Sequence, residues 1–125
     1  MAVQHSELRA PATVSVWLGD FRTEGELDDY LREDFSLHFG FAYEAPAGPE
    51  ACAHPGEPIS VSELLLGFSQ SRRFIDRAVE VALQHGRSVA NAAVVFYATR
   101  YDPGLATVES APLLFIGAIE LLPRG

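Results

Sequence analysis

Seven carboxylates crowd the stretch WLGDFRTEGELDDYLREDF, Trp17 to Phe35: Asp20, Glu24, Glu26, Asp28, Asp29, Glu33 and Asp34. Paired carboxylates are the tools of general acid–base catalysis, and the adjacent Asp28 and Asp29 are the first pair to test. Neighbours on a helix point about 100° apart and do not converge on one reacting atom. A catalytic carboxyl also needs burial or a partner that moves its pKa toward neutrality. These acids stand opposite an apolar stripe, so water is their expected surrounding. Catalysis is the weakest reading of them, and a surface that meets a cationic partner is a stronger one.

The remaining chemistry-bearing residues are sparse. Cys52-x-His54 offers two soft ligands where a structural zinc takes four. His38 stands among aromatics on an expected strand, where a hydrogen-bonded structural histidine is the plain reading. A small hydrolase using His38 and a nearby carboxylate is the enzyme alternative. His5 falls in an expected tail, and His85 in a last helical turn, where an imidazolium suits the dipole. The chain has no G-x-G-x-x-G, no H-E-x-x-H, no G-x-S-x-G and no lysine for a Walker loop. Its arginines are scattered, with Arg72-Arg73 the one adjacent pair, which leaves no nucleic-acid footprint. Neither a cofactor nor a metal is implied. With no apolar run of about 18 residues and no apolar leader segment, no membrane association is expected. A single cysteine permits no intrachain disulfide and suits a reducing, cytoplasmic setting.

The elements that position these residues follow from periodicity. TVSVWLG alternates as a strand, with Val14, Val16 and Leu18 on one face and Thr13, Ser15 and Trp17 on the other. Thr23 with Glu26 forms a capping box for a helix that buries Leu27, Tyr30, Leu31 and Phe35. SLHFGFAYE alternates again and predicts a second strand, with Gly40 at a bulge. Residues 45–58 read as a long Pro- and Gly-rich loop. Ser60 with Glu63 caps a short helix, and Ser71 a longer one that faces Phe74, Ile75, Ala78, Val79, Ala82 and Leu83 inward and stops at Gly86. SVANAAVVFYATRY and PLLFIGAIEL predict two central strands. The order β-α-β-α-α-β-β predicts a single α+β domain over 13–122. It would be a mostly antiparallel sheet of about four strands with two to three helices on one face, preceded by a flexible tail, 1–12.

Charge is unevenly spread. Residues 20–63 carry eleven acids against Arg22 and Arg32, while 64–125 hold six arginines and five acids, within a net charge of −8. Such a pole repels nucleic acid and anionic membrane and attracts a basic protein.

The order of residues also carries a resemblance. VSVWLGDF followed by TEGELDDYL resembles the opening of the Immunity protein 22 family of bacterial polymorphic toxin systems. Phe39-Gly40, ELLLGFSQSRRFID, Asn91, Tyr97, Tyr101-Asp102 and LFIGAIEL extend the likeness over residues 13–121. The resemblance implies an immunity protein that binds a cognate toxin domain and has no catalytic residues of its own. With the acidic pole, it points to a basic nuclease as target and to the seven carboxylates as the contact surface. A non-toxin interaction or small-ligand module, including a homodimer joined through the Trp17 face, stands as the alternative.

Overall fold

The strand predicted from TVSVWLG forms and is longer than its alternation suggested. In the computed structural model, which describes residues 3–43, 48–54 and 56–123, the chain runs in the following order. β1 (Val3–Gln4), a 3-10 turn (His5–Leu8) and β2 (Arg9–Gly19) lead into α1 (Glu24–Glu33), α2 (Phe35–Phe39) and β3 (Phe41–Ala42). β4 (Glu50–Ala53), β5 (Ile59–Ser60), α3 (Val61–Leu65), a 3-10 turn (Ser71–Arg73) and α4 (Ile75–Gln84) follow. β6 (Val89–Ala90), β7 (Ala92–Thr99), a 3-10 turn (Pro103–Leu105) and β8 (Leu113–Glu120) complete it. The main sheet has the order β4-β7-β2-β8 with every neighbouring pair antiparallel, and the architecture is α+β.

The sheet is covered on both faces rather than one. Val14, Val16 and Leu18, with Ala93, Val95, Ile116 and Ile119, form an aliphatic layer under α3 and α4. Trp17, Val94, Phe96 and Leu113 form the other face, packed with Leu27 and Tyr30 of α1 and Phe35 and Phe39 of α2. Over residues 13–19 both faces of β2 are buried, and Ser15, which would otherwise call for water there, is satisfied internally. Its hydroxyl donates to the Thr99 carbonyl (2.9 Å) and accepts from the Tyr101 N–H (2.9 Å).

Several expectations are corrected. Residues 36–39, read as the start of a strand, belong to the helix α2, and Phe35, expected at the end of the first helix, opens it: Phe35 and Phe39 are one turn apart and both buried. Gly40 is the stop of that helix, not a bulge. Its φ is +76°, and a Cβ there would lie 2.1 Å from the Leu105 carbonyl oxygen. The expected tail is built into the fold. Val3 pairs with Phe41, and His5 Nε2 and Thr99 Oγ1 share a hydrogen bond of 2.7 Å. Ala12, at φ +62°, breaks the alternation that would have announced this part of β2. The loop read at 45–58 contains β4; residues 44–47 and Pro55 lie outside the described residues.

Ser71 does not cap α4 but donates to the Leu66 carbonyl (3.0 Å), and Leu83, expected inside, is exposed. Gly86 does stop α4. Its N–H donates to Leu83 and the Arg87 N–H to Ala82, the two bonds of a Schellman turn. Of the two strands expected to be central, β7 is central and β8 is an edge.

Candidate functional site

α1 begins where predicted: the Thr23 hydroxyl accepts from the Glu26 N–H at 3.1 Å. The reciprocal half of the capping box is replaced. The Glu26 carboxylate turns outward to the Arg22 N–H (3.1 Å) and the Arg22 guanidinium (3.0 Å), and these contacts hold its carboxyl below the usual range. Leu27 and Tyr30 anchor the inner side of the helix. Tyr30 Oη and His38 Nδ1 share a hydrogen bond of 2.8 Å, and the Tyr43 hydroxyl donates to the Leu31 carbonyl at 3.0 Å. Burial, with the Asp34 charge adding, raises the Tyr30 phenol well above its ordinary pKa, so it stays neutral.

The seven carboxylates do not form one free surface. Asp20 lies in the turn before α1, paired with Arg87 at 3.2 Å and accepting from the Asn91 N–H at 3.3 Å. Asn91 clamps the same turn, its amide oxygen taking the Phe21 N–H (2.7 Å) and its amide nitrogen reaching the Phe21 carbonyl (2.6 Å). Glu26 is paired with Arg22, and Asp29 with Arg32. Three of the seven carboxylates expected to form one exposed surface are thus paired with the chain's own arginines. Glu24, Asp28, Glu33 and Asp34 are exposed and, among the described residues, enter no ion pair.

Those four surround the solvent side of α1. Glu24 and Asp28, one turn apart, make one flank; Glu33 stands on the other, and Asp34 ends the helix. Glu33 and Asp34 lie at the C-terminal end, where the helix dipole disfavours negative charge, by about 0.3–1 kcal/mol for an exposed group.

The other candidates are dispersed. His38 lies on α2 and its ring shares a hydrogen bond with Tyr30; among the described residues no carboxylate bonds to it. Cys52 is on β4 opposite Ala93, its thiol pushed up by burial and then by the charge of Glu24. Among the described residues, no three His, Cys, Asp or Glu side chains gather as a metal site requires. Trp17, weighed as a contact for a second copy, is fully buried and cannot present a face. Among the described residues, no helix is long and apolar enough to cross a membrane.

No family model, curated protein or solved structure matches this chain. The Asp20–Arg87 pair had no signal in the sequence, since 67 positions separate its members. The Arg22–Glu26 and Arg32–Asp29 pairs were legible as helical neighbours once α1 was drawn.

Proposed function

We propose that this chain is a cytoplasmic bacterial immunity protein that binds and neutralises a cognate toxin, a basic nuclease, through the outer side of α1. One observation carries the reading: Glu24, Asp28 and Glu33 on α1 and Asp34 at its end are exposed and, among the described residues, unpaired, on a helix held from beneath by packed aromatic rings. Residual charge of one sign on a rigid element raises the encounter rate with an oppositely charged protein, by roughly 10- to 10³-fold at low salt. A nuclease keeps a cationic groove for phosphate, and an acidic helix fits such a groove in place of nucleic acid. The chain would act by occupying the groove, without chemistry of its own. Its single free cysteine suits a reducing compartment. The resemblance of VSVWLGDF and TEGELDDYL to an immunity family supports the same role.

Binding to the toxin domain encoded beside this gene tests the proposal. Titration at about 50 and 500 mM salt should show affinity falling as screening shortens. An absence of binding to that domain sinks the role. Affinity that is independent of salt sinks the acidic-helix mechanism.

A further inference from the structure

The two edges of the sheet are unlike. β4 is four residues long, α1 packs against it, and its Glu50 carboxylate is held by the Ser69 N–H (3.0 Å) and hydroxyl (3.2 Å). β8 is eight residues long and hydrogen-bonds only to β2; among the described residues nothing engages the outer side of its backbone. Edge strands ordinarily refuse a neighbour with inward charges, lysines or prolines. β8, LLFIGAIE, has no lysine, proline or inward charge between its ends; its only charge is the terminal Glu120, 3.8 Å from Arg100, and the one edge-blunting device it carries is the bulge at Ile116. Leu114, on this edge, is 41% exposed. A cleft of about 440 Å³ opens beside it, lined by Phe39, Tyr101, Val108, Leu114 and Phe115.

We propose that β8 pairs antiparallel with β8 of a second copy, joining two four-stranded sheets into one of eight strands. Charge selects this occupant. A basic partner finds little net acid beside β8: Arg73, Arg77 and Arg100 balance Asp76, Glu80 and Glu120 around one neighbouring cleft, and the other adds Glu109. Two copies of a chain of net charge −8 repel each other, except where their acidic helices stay far apart. α1 packs against β4, the opposite edge. Joining β8 to β8 separates the two β4 strands by seven strand spacings, about 34 Å at about 4.8 Å each. That is several times the screening length of about 8 Å at physiological salt.

The strand is also compatible with itself. Its bulge makes Ile116 the extra residue, so Leu114 and Ile119 share the face of Leu18 and Val14, while Phe115 and Ala118 share that of Trp17 and Ser15. A two-fold axis between Ile116 and Gly117 then sets Leu114 against Ile119 of the second copy, and Phe115 against its Ala118. The two Glu120 side chains fall at opposite ends. This inference stands apart from the proposed function, and it leaves both acidic helices free.

Sedimentation of the full chain between about 1 and 200 μM should show a dimer at physiological salt, weakened at about 0.01 M salt, where the screening length of about 30 Å approaches the spacing of the acidic helices. Leu114→Lys should weaken dimerisation about 100-fold or more with an unchanged circular dichroism spectrum. Amide exchange on the unmodified chain reads the same edge without substitution: outward amides of Leu113–Glu120 gain protection as concentration rises. A chain that stays monomeric across this range overturns the proposal. So does a dimer that a folded Leu114→Lys leaves intact, or one whose β8 amides exchange as in the monomer.

Discussion

The two layers beside the central sheet exclude water by different means. On the α1–α2 side Trp17 lies within 5.0–6.3 Å of six rings, those of Phe35, Phe39, Phe41, Phe96, Tyr101 and Phe115. On the α3–α4 side the core is mainly aliphatic, with Phe68 and Phe74 among it, and Ala78, Ala82, Ala90 and Ala93 let α4 approach closely. Charge follows the same division. α1 carries four unpaired acids at or beside it, whereas α4 sets Arg77 against Glu80 at 3.3 Å. Large rings with few rotamers make a stiff bed, and the stiff bed lies under the helix whose surface charge is unbalanced. The aromatic layer is thus the bed of the more acidic helix, and the mainly aliphatic layer the bed of the more balanced one.

The largest effect expected from this contrast is on stability. Trp17→Ala should cost about 3–5 kcal/mol in urea unfolding, and Leu65→Ala in the aliphatic layer about 2–4 kcal/mol. Equal costs would remove the distinction between the layers. Trp17→Phe should cost well under Trp17→Ala, because the buried indole Nε1–H has no hydrogen-bond partner among the described residues and its removal relieves a desolvated donor.

The next effect depends on pH. Burial lowers the pKa of His5 from its ordinary 6.5, so the folded state binds its proton less readily than the unfolded chain. His5 therefore costs nothing above about pH 6.5, and stability falls as pH drops through 6.5 toward the lowered folded value. The melting temperature of the wild type should decline over that window more than that of His5→Gln, which keeps a polar partner for Thr99. Parallel curves would remove His5 as the cause. The smallest effect is at Glu33. Glu33→Lys should stabilise the chain by about 0.3–1 kcal/mol, by relieving a carboxylate at a helix C-terminus, while weakening toxin binding. Loss of both stability and binding would indicate a structural role instead.

How much of this was legible depends on which signal each segment carried. β2 announced itself by alternating residue types and β7 by a run that is apolar on both faces, and α4 announced its end with Gly86, which takes φ +76°. α2 was misread because Leu37, Phe39, Phe41 and Tyr43 fit a period of two, while Phe35 and Phe39 fit one helical turn, and only tertiary packing chooses between them. The N-terminal pairing was hidden by the break at Ala12. β8 looked central because it is apolar on both faces, a property that speaks of helices above and below and not of a strand on either side. For the site, residue types and the helix were readable. Which carboxylates remain unpaired was not, since Asp20 finds its arginine across the fold.

The central claim is that the four free carboxylates of α1 meet a basic toxin. Stopped-flow association of the wild type and of the combined Glu24→Gln, Asp28→Asn, Glu33→Gln, Asp34→Asn variant with the neighbouring toxin domain tests it most directly. The expected result is an association rate about tenfold or more lower in the variant at about 50 mM salt, with the two rates converging at about 500 mM. Equal rates at low salt, with the variant folded, would contradict it.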